Sequence, residues 1–117
     1  MKKTAFILLV TMMTIGFMPA TTQAYNQTQV DKIKTGSKLC NGFDLSNANL
    51  SNLNLQEAHL EGANLTGANL FRTNLTHAHL KGANLTKANL KDANLNGADM
   101  TSVRLTGAIM PDGTKHF

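Results

Sequence analysis

Residues 63–90 read ANLTGANLFRTNLTHAHLKGANLTKANL, so a leucine recurs at every fifth position. The same spacing continues in both directions until it covers residues 43–110. Fourteen consecutive units each contribute one large apolar residue: Leu45, Leu50, Leu55, Leu60, Leu65, Leu70, Leu75, Leu80, Leu85, Leu90, Leu95, Met100, Leu105 and Met110. Two residues before each of these lies a second column, which is alanine in ten units of the fourteen. A short fixed period of this kind predicts a solenoid.

A period of five fits neither the 3.6-residue period of an amphipathic helix nor the two-residue period of a long strand. If each unit forms a short extended piece followed by a turn, its alanine and its leucine face the same side. The chain must then coil on itself, with leucine and alanine inside and the polar residues outside.

Several units resemble a known family. Residues 63–67 (ANLTG), 83–87 (ANLTK) and 93–97 (ANLNG) are similar to the A(N/D)Lxx units of pentapeptide-repeat proteins. The resemblance implies an all-β fold over residues 40–110, a right-handed quadrilateral β-helix with twenty residues per coil. Fourteen units then make about 3.5 coils, which at about 4.8 Å per coil form a stub about 17 Å long.

Residues 25–39 precede the repeats and predict a short N-terminal capping helix. Val30 and Ile33 have helical spacing, Thr28 is a candidate N-cap, and Gly36 is a stop signal. An open solenoid end exposes unpaired backbone and bare leucines, so a cap is expected there. Residues 111–117 begin with Pro-Asp-Gly, a turn signal, and are predicted to fold back as a C-terminal cap.

Residues 1–24 have the pattern of a bacterial secretory signal peptide. Lys2 and Lys3 precede an apolar run over residues 5–18, and small residues lead to Ala24, the predicted cut site. The alternative is an uncleaved membrane anchor, but the run is short for a span of about 20 residues. We therefore expect a periplasmic or secreted product with no stable membrane insertion after cleavage.

The charge balance argues against a nucleic-acid partner. The full chain has a formal net charge of +4, and loss of the two signal-peptide lysines leaves 9 Lys and Arg against 7 Asp and Glu. Neither sign gives a field strong enough to steer nucleic acid. Quinolone-resistance members of the resembled family inhibit DNA gyrase by resembling DNA, which implies a long, acidic, dimeric, cytoplasmic rod. A short, slightly basic, exported chain departs from that pattern, so a gyrase-binding DNA mimic is the less favoured alternative.

Catalytic motifs are not apparent in the sequence. It has no Gly-rich phosphate loop, no metalloprotease helix motif and no nucleophile with a base at informative spacing, so we predict no enzymatic activity and no cofactor. The single cysteine excludes an internal disulfide. Cys40 lies in register with Leu45, which predicts a buried thiol. A cross-chain disulfide or a redox role is the alternative.

The outward columns are where function is expected. His59, His79 and Asp99 are twenty residues apart and so predicted to stack about 4.8 Å apart per step. Two imidazoles and a carboxylate form a plausible zinc or copper site, although a solvated histidine pair explains the same pattern. On the neighbouring column Glu61 is predicted to form a surface ion pair with Lys81.

A second candidate site is aromatic. Phe71 is predicted to be exposed, with Arg72 and Lys91 as cationic neighbours, and to anchor a partner or to pack by cation–π contact. Arg72 is also predicted to pair with Asp92 across one coil. The sequence therefore favours a non-catalytic exported structural or protein-interaction module, with a metal binder as the alternative. Its partner would be an unknown protein of the envelope or the exterior, and the flat ends permit end-to-end homodimers.

Overall fold

The computed structural model describes residues 27–117, which form one helix followed by a β-helix. Helix α1 covers residues 27–34, and every later β contact is an isolated bridge rather than a multi-residue strand. The predicted signal peptide, its cut site and the first two residues of the predicted N-terminal cap lie outside the described residues. Within 27–117, no helix combines the length and the apolar character needed to cross a membrane.

Parallel bridges join each residue n to residue n+20 along the repeat region. Asn64 pairs with Asn84, Asn69 with Asn89, and eleven parallel bridges in total run from Leu39 to Ile109. One coil of the β-helix therefore takes twenty residues, and each of its four sides is one five-residue unit. Each side is so short that only one residue per unit forms a bridge before the next turn begins.

One unit shows why the repeat folds in this way. The Leu65 N–H donates to the Asn84 carbonyl of the next coil at 2.7 Å, while the Ala68 N–H donates back to the Leu65 carbonyl at 3.0 Å. The Asn64 side-chain oxygen accepts the Thr66 N–H at 3.1 Å. The asparagine thus closes the turn, the leucine links the coils, and the backbone groups are satisfied with little help from other side chains.

The corner residue, two positions after each leucine, adopts a left-handed backbone. Its φ is positive both at glycines such as Gly62 (68°) and at larger residues such as His77 (58°) and Arg72 (56°). Left-handed backbone disfavours residues with a Cβ, so glycine is the least strained choice at a corner. The sequence analysis did not predict this strain, although recurrent glycine at the same position was a usable signal: Gly42, Gly62, Gly67, Gly82, Gly97 and Gly107.

The core is a column of leucines with alanines between them. Ten consecutive leucines, from Leu45 to Leu90, are at most 1% exposed. Thr73 replaces one alanine and is also buried, and its hydroxyl donates to the Leu50 carbonyl at 2.8 Å. This bond removes the cost of burying a polar group, so the substitution fits the core.

Helix α1 packs on the first coil. Val30 and Ile33 are buried in the same cluster as the core leucines, and the Gln29 side-chain oxygen accepts the Asp44 N–H at 2.5 Å. Thr28 lies within the helix rather than at its N-cap. Gly36, with φ of 105°, follows the helix in the turn that leads to the first coil.

The chain closes with a C-terminal hairpin, residues 107–117. Ile109 forms an antiparallel bridge with Lys115, and the His116 N–H donates to the Ala108 carbonyl at 2.7 Å. The hairpin covers only one of the four sides of the last coil. The large apolar residues of that coil are partly exposed, both on the other sides (Leu95, Met100 and Leu105) and beside the hairpin (Met110).

Candidate functional site

The histidine face is the side of the β-helix formed by residues 59–61, 79–81 and 99–101. Bridges join His59 to His79 and His79 to Asp99, so the structure places the three predicted ligands in one column. The two imidazole rings stack with their centroids 4.6 Å apart and their planes within 9°. Their side chains are 43% and 48% exposed, so solvent reaches both.

Glu61 joins the histidines, a contact that the sequence analysis missed. Its Oε2 lies 3.7 Å from Nδ1 of His59 and 3.7 Å from Nδ1 of His79. The predicted Glu61–Lys81 ion pair is wrong, since among residues 27–117 the carboxylate of Glu61 comes within ion-pair distance of these imidazoles only. The sequence analysis paired only residues that lie twenty apart in the same column, so it could not predict a contact between neighbouring columns.

Asp99 is engaged by its own turn. Thr101 donates its hydroxyl at 2.6 Å and its N–H at 3.0 Å to Asp99 Oδ1. These hydrogen bonds, together with the charge of Lys81, lower the pKa of Asp99 below its ordinary value. The carboxylate is therefore anionic at neutral pH, but one oxygen is committed to the backbone. Across residues 27–117, no three His, Cys, Asp or Glu side chains already stand in a metal-holding arrangement.

The aromatic patch consists of Phe71, Arg72, Lys91 and Asp92. Phe71 is half-buried rather than exposed, and the Arg72 guanidinium carbon lies 5.1 Å from the centre of its ring. Lys91 Nζ lies 3.5 Å from Asp92 Oδ2. The predicted Arg72–Asp92 pair is thus replaced by a cation–π contact and a neighbouring ion pair, because the guanidinium lies over the ring.

Cys40 is fully buried at the start of the first coil. Its thiol donates to the Ser37 carbonyl at 3.4 Å. Burial raises the pKa of the Cys40 thiol, which reduces its thiolate fraction and hence its reactivity. These features are those of a structural thiol.

A shallow cleft of about 250 Å³ lies between α1 and the first coil. Gln27, Val30 and Lys34 line it from the helix, and residues 46–49 line it from the coil. Lys34 is the only ionisable group in this lining, so the cleft holds no acid–base pair.

The five-residue units agree with a known sequence pattern, since a family model described as pentapeptide repeats (8 copies) matches residues 44–70 and 68–107. The chain belongs to the pentapeptide-repeat family. Members of this family are right-handed β-helices, and they are generally non-enzymatic structural modules.

Two cyanobacterial pentapeptide-repeat structures are similar to this chain. HetL from Nostoc sp. strain PCC 7120, described as involved in heterocyst differentiation regulation, is 39% identical over 67% of this chain, with a TM-score of 0.57. Rfr23 from Cyanothece 51142 is 44% identical over 60% of this chain, with a TM-score of 0.59. The matches span 40% and 48% of the length of those proteins. No curated protein matches the chain.

Proposed function

We propose that this pentapeptide-repeat protein is a non-catalytic, exported module that acts through protein contacts on its outer faces. The observation that carries the proposal is the difference between the inward side chains, which are uniform and apolar, and the outward ones, which vary. From Leu45 to Leu90 the inward leucines are at most 1% exposed, whereas the residues that break the Asn/Thr pattern lie on the outside, where the histidine face and the aromatic patch are two clusters of them. Variable chemistry on a uniform scaffold is how solenoid proteins build binding surfaces.

We infer the following organisation: a signal peptide over residues 1–24, an N-terminal cap over 25–39, about 3.5 coils of β-helix over 40–110, and a C-terminal cap over 111–117. Burial of Val30 and Ile33 against the core supports the N-terminal cap. The antiparallel return at Lys115 supports the C-terminal one.

The aromatic patch is the proposed partner-binding site. Arginine held over an aromatic ring presents a flat, rigid contact surface with little side-chain entropy left to lose, which favours binding. Aromatic residues, phenylalanine among them, and arginine are also enriched in the cores of protein interfaces. Phe71 and Arg72 are therefore expected to contribute most, with Lys91 as a charged rim.

The patch is tested with a Phe71→Ala/Arg72→Ala double variant used as bait in an envelope extract. Lys81→Ala is the matched control, because Lys81 is an exposed cation on a different face. We expect one set of specific partners that is retained by wild type and Lys81→Ala and lost by the double variant. Equal capture by all three baits would reject the patch as the binding site.

Export is tested by expressing the full chain in a Gram-negative host, fractionating the cells and measuring the intact mass. Cleavage after Ala24 predicts a product that begins at Tyr25, found in the periplasm or the medium. A full-length cytoplasmic product would contradict export and would reopen intracellular targets, including gyrase.

A metal-binding role on the histidine face is the second candidate, favoured by the position of Glu61. Ligands about 2.1 Å from a tetrahedral zinc ion lie about 3.4 Å from one another, close to the observed 3.7 Å separations. The stacked rings direct their nitrogen lone pairs in parallel, so one imidazole must rotate before both can bind one ion. Asp99 would then join through its free oxygen.

Zinc titration followed by histidine NMR tests this role. His79→Gln should abolish binding, whereas His116→Gln, at the chain terminus, should leave it intact. The same titration of Glu61→Gln and of Asp99→Asn shows which carboxylate binds zinc, because only the loss of a ligand should weaken binding. Histidine signals that do not change on addition of zinc would dispose of the metal site.

A further inference from the structure

Asparagine followed by glycine occurs twice in the sequence, as Asn41-Gly42 and Asn96-Gly97. This pair is prone to spontaneous deamidation, because glycine has no Cβ to hinder its own nitrogen when that nitrogen attacks the side-chain amide of the asparagine. Both asparagines and both glycines are exposed, and both glycines stand at corners, with φ of 69° and 72°. Exposure and φ therefore do not distinguish the two pairs. Their hydrogen bonds do.

Hydrogen bonds to the next coil hold both reacting groups of the first pair. The Gly42 N–H donates to the Glu61 carbonyl at 2.9 Å. The Asn41 side-chain oxygen accepts the Glu61 N–H at 3.0 Å. The nitrogen that would attack and the amide that it would attack are both bound to the next coil, so two hydrogen bonds must break before they can react.

The second pair lies at a corner of the last coil and has neither bond. Within residues 27–117, the Gly97 N–H has no hydrogen-bond acceptor, and the Asn96 side chain makes no hydrogen bond. One coil earlier, the corner N–H of the same column is that of His77, which donates to the Asn96 carbonyl at 2.8 Å. The end of the stack thus leaves both reacting groups of Asn96-Gly97 free in the part of the chain that the structure describes.

An aspartate followed by glycine can close the same ring, and Asp112-Gly113 is the one such pair in the sequence. The Gly113 N–H donates to the Met110 carbonyl at 2.8 Å. Asp112 Oδ1 accepts the Thr114 hydroxyl at 2.6 Å and the Thr114 N–H at 2.9 Å. The reacting groups of this pair are therefore held in the turn of the C-terminal hairpin. Of the three pairs, the one at residues 96–97 alone has a free nitrogen and a free side chain among residues 27–117.

We propose that Asn96 is a site of spontaneous deamidation in the folded protein, and that Asn41 is protected by its hydrogen bonds. In the first step the Gly97 nitrogen forms a bond to Asn96 Cγ and the bond from Cγ to the side-chain nitrogen breaks. That nitrogen leaves as ammonia with the Gly97 proton, and the product is a five-membered succinimide. Solvent water then opens the ring: addition at Cγ gives aspartate, whereas addition at the backbone carbonyl carbon gives isoaspartate.

Isoaspartate at position 96 changes the contact between the last two coils. The Asn96 backbone carbonyl, which accepts the His77 N–H, becomes part of a free carboxylate, and the chain then reaches Gly97 through one additional methylene. The His77 imidazole also lies against Gly97, since a Cβ added there would collide with His77 Nδ1. The modification is therefore expected to loosen the corner at which the last coil contacts the coil before it.

Incubation of the purified protein, expressed from the full chain, at neutral and at mildly alkaline pH tests the proposal. Peptide mass spectrometry measures the loss of the amide at each asparagine, both in folded protein and in protein unfolded in guanidinium chloride. In the folded protein we expect Asn96 to convert at least about tenfold faster than Asn41, because Asn41-Gly42 must first lose two hydrogen bonds. In the unfolded chain the two rates should be similar, because both residues precede glycine.

Amide exchange at His77 measures the structural consequence. Aged wild-type protein should lose protection there in proportion to its isoaspartate content. An equally aged Asn96→Gln variant should keep that protection, because glutamine would have to close a six-membered ring and reacts far more slowly. Fresh Asn96→Asp, which adds the charge without lengthening the backbone, should also keep it.

Two results would overturn the proposed site: equal rates at Asn41 and Asn96 in the folded protein, or the same difference between them in the unfolded chain. In either case the fold would not select the asparagine that reacts. Loss of His77 protection in fresh Asn96→Asp, or its retention in the isoaspartate form, would overturn the proposed effect on the last coil.

Discussion

The two ends of the β-helix differ although the repeat between them is uniform. Leu45 and Leu105 occupy the same column, three coils apart, and each is the third residue of its unit, after an apolar and a polar residue. Leu45, in the first coil on which α1 packs, is fully buried, whereas Leu105, in the last coil, is partly exposed. Burial in this fold is therefore decided by what stacks on a coil rather than by the unit itself, as expected when each repeat contacts only its neighbours.

The largest expected effect compares these two leucines directly. Leu45→Ala should lower the free energy of unfolding by about 3 kcal/mol, because it leaves a cavity in a closed core. Leu105→Ala should cost about 1 kcal/mol, because solvent already reaches that side chain. Urea melts of dilute protein measure both. Equal losses would show that the C-terminal end is as closed as the N-terminal one.

Weakening the contact between α1 and the first coil should expose more of that coil to solvent. Ile33→Ala is expected to cost about 2 kcal/mol and to speed amide exchange in the first coil, because Ile33 is 2% exposed and packs on the core. Lys32→Ala, on the exposed side of α1, should change stability by less than about 0.5 kcal/mol. If both variants melt alike, α1 does not cover the core.

Alanine substitutions at two corner glycines compare the stability of an interior coil with that of the last coil. Gly62→Ala adds only left-handed backbone strain, about 1 kcal/mol, since nothing lies near the added Cβ. Gly97→Ala also places its Cβ against the His77 imidazole and should cost about 1 to 2 kcal/mol. Thermal melts in a His77→Ala background should remove the excess at Gly97, and a persistent excess would mean that another contact is responsible.

The smallest expected effect is a loss of stability in the C-terminal hairpin at low pH. Hydrogen bonds from Thr114 lower the pKa of Asp112 below 3.8, so the stabilisation they give is present above that pH and is lost as pH falls through the lowered value. Below pH 3.8 the C-terminal hairpin should loosen before the α1 end, as judged by Thr114 amide exchange. Asp112→Asn keeps the acceptor oxygen and should remove the pH dependence. Unchanged pH dependence in that variant would point to another group.

The regular features of the fold were predictable from sequence because they follow from one period. The five-residue spacing predicted the leucine column, the alanine column and the vertical stacking of His59 on His79, and each follows from a twenty-residue coil. Buried Cys40 followed from the same register.

The remaining features depend on side-chain choices that a period does not encode. Glu61 turns toward the two histidines rather than toward Lys81, and Arg72 lies over Phe71 rather than reaching Asp92. Exposed charged side chains select among contacts that differ by less than about 1 kcal/mol, so column position alone cannot decide them. The left-handed corners at residues such as His77 were also missed, because non-glycine residues mask the turn geometry.

Residue-resolved amide hydrogen exchange of dilute protein tests the central claim most directly. Coil-to-coil stacking predicts strong protection of the leucine N–H groups from Leu45 to Leu85, because each is bonded to the next coil. It predicts fast exchange at Leu95, Met100 and Leu105, whose N–H groups have no acceptor within residues 27–117. Uniform protection to the last coil, or fast exchange at Leu65, would contradict the account.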